Sequence, residues 1–385
     1  MMSHLGEVAA LFLKLGLIGF GGPAAHVALM RQEVVQRRGW VTEQEFLDLL
    51  GASNLIPGPT STELAIYLGY RRAGLPGLVL AGLLFILPAM LLVLAFAWAY
   101  VQYGATPQVA GVLYGIKPVI IAVIVQAIYG LLRTAVKSLV LGAVVVLTVG
   151  FYAAGLNPLV PLFGLSLAVT LIANRVRLVR GTGRGSSHTA LIAGPIGYFA
   201  QTAPAVGLAG VSLGVLFLTF LKIGATLYGS GYVLLAFLHD DFVSRLSWLT
   251  DRQLLDAVAV GQFTPGPVFT TATFIGYLVA GVPGAVVATV AIFAPSFVFV
   301  GIVYPYVARL RASPWTSAFL DGANAAAVGL MLAVAWQLGT SSIVDVLTAG
   351  LLLLAAVLLI RFKVNSVWLV LGGGAAGLLA TTLRG

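Results

Sequence analysis

The chain has no cysteine in 385 residues. That excludes both a disulfide framework and a thiolate metal site. It has little charge: Asp, Glu, Lys and Arg make up 9% of residues, against about 25% in a soluble domain. The four histidines, at positions 4, 26, 188 and 239, show no metal-ligand spacing. There is no Gly-x-x-x-x-Gly-Lys-Ser/Thr loop. The glycines at 181–185 read as linker, since no strand or helix frames them. No nucleophile–base constellation is visible, so we expect no catalytic residue, no metal and no cofactor. The alternating ten-residue pattern of an outer-membrane barrel is also missing.

What is abundant is apolar. Hydrophobic residues reach 60% and mean hydropathy is +1.04. Charge-poor runs recur at 76–101, 138–154, 284–303 and 343–360, long enough or nearly so to span ~30 Å of hydrocarbon. The partner is therefore a lipid bilayer. The net charge of +9 does not indicate nucleic acid, because the arginines sit in short loops between apolar runs, as membrane orientation requires. The N-terminus lacks a cleavable-signal pattern, since Lys14 comes too late for a basic leader.

One stretch organises the rest: Asn54-Leu-Ile-Pro57-Gly58-Pro59-Thr60-Ser61-Thr62-Glu63. Two prolines around a glycine end one helix, and Pro59 can begin another. The N–H groups of Thr60, Ser61 and Thr62 are then expected to face the break, a setting for an anion. Within a bilayer such a break must be buried in protein or line a cavity. The pattern returns 208 residues later as Gln262-Phe-Thr264-Pro265-Gly266-Pro267, followed by Thr270. A Gly19–Pro23 interruption, with Gly21 and Gly22, splits the first apolar helix. The second half carries Tyr228-Gly229-Ser230-Gly231 at the matching place.

The repeat is extensive. At a spacing of 208, Phe12 meets Phe220, Lys14 Lys222, Gly16 Gly224, Trp40 Trp248, Thr42 Thr250 and Asp48 Asp256. After a one-residue gap, Gly69-Tyr70 meets Gly276-Tyr277 and Pro88 meets Pro295. This is a duplication. We expect an N-terminal repeat over 1–180, a linker over 181–207 and a C-terminal repeat over 208–385. Each half would hold about five transmembrane helices plus a re-entrant hairpin, 43–55 with 59–70. An odd span count inverts the second half. Placing the N-terminus outside puts Arg31, Arg37, Arg38, Arg71, Arg72, Arg133, Lys137, Arg175, Arg177, Arg180, Arg184, Arg309, Arg311, Arg361 and Lys363 in the cytoplasm, against Arg245, Arg252 and Arg384 outside. The segment 189–207 is then expected at the surface or dipping in. The fold class is an all-α polytopic membrane protein of two inverted halves.

Inverted repeats with paired broken helices point to a secondary transporter with a midplane site. Candidate substrate ligands are the residues of the breaks and the in-membrane lysines, Lys14, Lys117 and Lys222, with Asn324 as the counterpart of Lys117. Snorkelling is the alternative for Lys14 and Lys222. Glu63, in the first turn after a break, is the candidate for proton coupling, because an anion bound nearby and a proton on its carboxyl favour each other. His26 follows Gly22-Pro23 and is as easily structural. Asp48 and Asp256 are expected at the polar edge of the hairpins. The residues by themselves read as an anion transporter and leave the cargo open, with a passive anion channel as the alternative.

The run Phe20-Gly-Gly-Pro23-Ala-Ala-His26, the loop from Arg31 to Trp40, and Asn54–Thr62 together resemble the chromate ion transporter family. Lys222-Ile-Gly, Tyr228–Val233 and Gln262–Pro267 are similar to that family's C-terminal domain, so the likeness covers nearly the whole chain in its long two-domain form. It implies an inner-membrane protein that exports chromate from the cytoplasm, driven by the proton motive force. It also marks Gly21, Gly22, Pro23, His26, Arg31, Trp40, Asn54, Pro57 to Thr62, Lys222, Tyr228, Gly229, Gly231 and Pro265 to Pro267 as signature residues. Sulfate or another oxyanion is an alternative cargo. A homodimer is left open, with no residue arguing for it.

Overall fold

Thr42 and Thr250 open equivalent helices with the same device. The Thr42 hydroxyl accepts the Glu45 N–H at 3.2 Å, and the Glu45 carboxylate accepts the Thr42 N–H at 2.8 Å. Thr250 and Gln253 repeat the exchange at 3.2 and 2.9 Å, which satisfies orphan donors at both helix starts. The computed structural model describes residues 2–20, 22–104, 106–180, 212–228, 231–306, 310 and 313–384, and its elements are helical. The expected linker over 181–207 and the segment 189–207 lie outside the described residues.

The first half runs α1 (Met2–Ile18), α2 (Gly22–Arg31), a wide π-helical turn (Gln32–Arg37), α3 (Glu43–Ser53), α4 (Thr60–Tyr103), α5 (Pro107–Ala135), α6 (Leu139–Ala153) and α7 (Leu159–Arg180). The second runs α8 (Leu213–Thr226), α9 (Leu234–Leu238), a π-helical turn (His239–Arg245), α10 (Asp251–Phe263), α11 (Thr271–Val303), α12 (Pro314–Ser342), α13 (Val346–Ile360) and α14 (Ser366–Arg384). Among the described residues, five helices are long and apolar enough to cross a membrane: α4, α5, α12, α14 and the stretch containing α11.

α4 and α11 each double back. Their helical geometry fails at Ala73–Gly74 and at Ala280–Gly281. Behind each bend Gly69 lies against the Gly77 carbonyl and Gly276 against the Gly284 carbonyl, an approach only small residues permit. The short limb of α4 therefore pairs with α3 as the expected re-entrant hairpin, and the long limb crosses the bilayer.

The first helix differs from expectation. Glu7, near the start of α1, binds Arg72 at 2.6 Å, beside the α4 bend. At its other end Gly16 lies against the Leu84 and Phe85 carbonyls, ten or so residues down the long limb. α1 thus enters from the face that carries Arg72 and stops at mid-depth. α2 and the π-turn then return along it, bringing Glu33 to within 2.7 Å of Lys14. The N-terminus lies on the basic face and not opposite it, and α1–α2 is a second re-entrant hairpin in place of a span. The physical reason is the Gly19–Gly22 break, which reverses the chain where a continuous helix would have crossed.

The second half repeats this upside down. Asp240 is bonded to Asn157 at 3.4 Å and His239 to Tyr152 at 3.0 Å, both at the far ends of α6 and α7. Lys137 and Asp321, joined at 2.7 Å, mark the basic face for α5 and α12. The hairpins of the two halves therefore open on opposite faces. Among the described residues, Arg31, Arg37, Arg71, Arg72 and Lys137 keep the basic face after the rerouting of α1, while the first half then has four spans in place of the expected five.

The halves are interlocked. α5 packs against α13 and α14 of the second half, while α12 packs against α6 and α7 of the first, and α4 meets α11. Gly115 on α5 lies against the Gly373 carbonyl of α14, so these backbones touch directly.

Candidate functional site

Four chain breaks are joined in two pairs. The Gly58 N–H donates to the Leu227 carbonyl at 2.8 Å, and the Gly266 N–H donates to the Gly19 carbonyl at 2.9 Å. Leu227 and Gly19 occupy equivalent positions, so each Pro-Gly-Pro break is tied to the first break of the other half. Gly58 (φ +139°) and Gly266 (φ +93°) adopt backbone that side chains disfavour.

The two Pro-Gly-Pro sites then diverge. Space beside Gly58 is taken by the Glu63 carboxyl and the Ser296 hydroxyl. Glu63 and Ser296 are fully buried. Ser296, from the second half, donates to Glu63 Oε1 at 3.3 Å. Glu63 Oε2, Thr62 Oγ1 and Tyr67 Oη are buried without a hydrogen-bond partner among the described residues, which is unusual in a folded protein. Tyr228 reaches this region with its ring against Phe163 and Phe319. At Gly266 the equivalent space holds Ala89. There Thr264, Thr270 and Thr271 donate to carbonyls three residues back, so their hydroxyl protons are occupied.

α4 starts directly at Thr60, whereas α11 is preceded by a 3-10 turn, Val268–Thr270. This accounts for the one-residue gap in the repeat. The Thr62 N–H is bonded to the Pro59 carbonyl at 2.8 Å, a correction to its expected freedom. Thr60 and Ser61 lead the helix, and Thr60 Oγ1 lies 3.5 Å from the Asn54 amide oxygen.

The other sequence candidates separate. Pro57, Pro59, Pro265 and Pro267 frame the breaks and are buried. Gly22 and Pro23 start α2, and Gly231 starts a 3-10 turn. Gly21, Gly229 and Ser230 lie outside the described residues. His26 is buried, with its Nε2 2.7 Å from the Gly19 carbonyl and its ring edge-on to Phe85. That bond fastens the α1–α2 break, the structural alternative given for it.

The lysines carry partners that the sequence reading did not assign. Lys14 is 44% exposed and pairs with Glu33, which also binds Arg37 at 2.9 Å and Arg38 at 3.4 Å. Lys222 pairs with Asp241 at 2.6 Å, and Arg245 joins at 2.8 Å. Both clusters use a π-turn to bring the acid to the lysine, and neither presents its ammonium to the breaks. The separation of 19 residues in both halves was the available signal. Lys117 is buried and pairs with Asp256 at 3.2 Å, and Tyr100 donates to the same carboxylate at 3.0 Å. Asp256, expected at a polar edge, is fully buried, because α10 is packed on α5 and α12. Asp48 is half-buried and bonded to Gln44. Asn324 is exposed on α12. Outside the bilayer-spanning helices, the Thr42 backbone N–H, with Arg71 beside it, holds the Glu45 carboxyl below the usual range. No group of three or more potential metal ligands occurs among the described residues.

Inverted halves, re-entrant hairpins and polar breaks joined at mid-depth define a membrane transport protein. The sequence profile of the chromate transporter family matches residues 6–172 and 214–378. The chain belongs to this family of transport proteins, which are not enzymes. It is 37% identical to the chromate transport protein of Cupriavidus metallidurans, over 98% of this chain and 94% of that one. It is 36% identical to the probable chromate transport protein of Synechococcus elongatus (89% and 87%), and 32% to the chromate transport protein of Pseudomonas aeruginosa (98% and 93%). No solved structure matches the chain.

Proposed function

We propose that the protein exports chromate from the cytoplasm across the inner membrane, with the oxyanion received at the broken-helix centre and Glu63 as the proton-coupling group. The observation that carries this reading is the buried Glu63 carboxyl, seated against Gly58 with one oxygen unpartnered. It stands in the first turn of the α4 limb, where hydroxyls and helix N–H groups are the natural ligands of a tetrahedral dianion.

Electrostatics sets the sign of coupling. A dianion near Glu63 and a proton on Glu63 favour each other, so the two travel together with a net charge of minus one. An inside-negative potential of about 100 mV expels such a unit with about 2.3 kcal/mol, roughly a 40-fold gradient. The electrical part of the proton motive force is then the drive.

The test is uptake of labelled chromate and, separately, sulfate into inside-out vesicles under an imposed potential or an imposed pH gradient. Potential-driven chromate accumulation supports the reading, and Glu63→Gln should remove its response to pH on the cytoplasmic face. Equilibration that ignores both gradients indicates a passive channel. Accumulation of sulfate without chromate overturns the cargo.

A further inference from the structure

The two re-entrant hairpins are equivalent in sequence but not in packing. In α10, Leu254, Leu255, Asp256, Ala257, Val258, Ala259 and Gly261 are buried; in α3 only Phe46, Ala52 and Ser53 are. The matched pair Leu255 and Leu47 is 1% and 46% exposed. α10 is held on α5 by the Lys117–Asp256 pair, with Tyr100 of α4 on the same carboxylate. Next to it lies an apolar crevice of about 410 Å³ lined by Phe96, Ile116, Val260 and Phe263 among others. At the equivalent place in the first half, Asn324 stands exposed on α12.

We infer that Lys117, Asp256 and Tyr100 form a charge latch that seals the face opposite the basic loops, and that an anionic cargo opens it by taking Lys117 from Asp256. Asp256 acts as a stand-in anion until the cargo, passing from the broken-helix centre toward that face, reaches Lys117. A buried ammonium is costly without a counter-charge, so an oxyanion that takes over this role at Lys117 releases the carboxylate and with it α10. The crevice gives α10 room to move. The α3 hairpin, with Leu47 exposed where Leu255 is buried, is the open side of the same device. Asp256 is thus a positioning residue that works through Lys117. The cargo half of this inference rests on the oxyanion reading above, while the latch itself does not.

The chain's lack of cysteine makes the test direct. Single cysteines are introduced as Leu47→Cys and Leu255→Cys and probed with a membrane-impermeant thiol reagent from each face in vesicles. The expected result is labelling of L47C from the basic face and protection of L255C. Adding Asp256→Asn or Lys117→Met should raise L255C labelling several-fold, Tyr100→Phe should raise it less, and the exchange Lys117→Asp/Asp256→Lys should restore protection. Protection of L255C that survives both D256N and K117M in folded protein overturns the latch, whatever the cargo. Chromate binding to purified protein without introduced cysteine tests the second step. D256N should bind roughly tenfold more tightly than the parent, because its competitor is gone, and K117M should lose binding. Unchanged chromate affinity in a D256N protein that labels at L255C overturns displacement by the cargo. A parent protein that binds no chromate refutes the cargo reading and the displacement step, leaving the labelling result to decide the latch.

Discussion

Gly58 and Gly266 are equivalent by repeat, yet their substitution by alanine should have opposite signatures. A Cβ on Gly266 would lie 2.7 Å from the Ala89 Cβ, and neither atom can rotate away. Its cost combines overpacking of about 1–3 kcal/mol with backbone strain at positive φ of about 1–3 kcal/mol. Gly266→Ala should therefore lose roughly 2–6 kcal/mol of stability. A Cβ on Gly58 meets the Glu63 carboxyl and, at 2.6 Å, the Ser296 hydroxyl. Both are ends of side chains that can turn, so the stability loss is only the strain, about 1–3 kcal/mol. The carboxyl, however, is evicted from its seat, and chromate transport should fall at least about tenfold. The assay pairs unfolding by SDS titration in mixed micelles with vesicle transport. Ala89→Gly should partly rescue Gly266→Ala, with a coupling of about 1–3 kcal/mol. Equal stability losses at the two glycines, or no coupling between 266 and 89, would refute the reasoning.

Three further outcomes follow. Glu33→Gln leaves Lys14, Arg37 and Arg38 without their shared carboxylate and should cost about 2–3 kcal/mol, discounted from the fully buried case because these cations are partly exposed; SDS titration measures it. Lys14→Met should retain most transport, since Arg37 and Arg38 still neutralise Glu33, whereas Lys117→Met should abolish it in the same vesicles. Gly115→Ala forces a Cβ into the Gly373 carbonyl, where no side chain can yield; a loss of about 1–3 kcal/mol is expected, with Gly374→Ala, which meets only side chains, as the milder control.

The sequence made the breaks, the capping boxes, the duplication and the re-entrant hairpin before α4 legible, because each depends on residues close together in the chain. Pro57-Gly58-Pro59 can be read locally as the end of one helix and the start of the next. The direction of α1 could not be read this way. Hydropathy treats a helix that stops at mid-depth like one that crosses, and contacts distant in sequence, such as the Glu7–Arg72 pair 65 residues apart and Gly16 against Leu84 and Phe85, distinguish them. The ion pairs divide the same way. Lys14–Glu33 and Lys222–Asp241 were recoverable from the common spacing of 19, since both halves keep an acid there. Lys117–Asp256 joins different halves through the packing of α10 on α5, and no periodicity reports it. The π-turns that deliver Glu33 and Asp241 have no signature in single residues.

The cross-braces from Gly58 to Leu227 and from Gly266 to Gly19 also bear on biogenesis. Neither half can complete its own break: the acceptor for Gly58 is synthesised 169 residues later, and the acceptor for Gly266, the Gly19 carbonyl, is the first to appear and among the last to be used. The first half must therefore wait in the bilayer with its hairpins docked but unfastened, and the transport centre comes into being in a single late event, when the second half arrives from the opposite face.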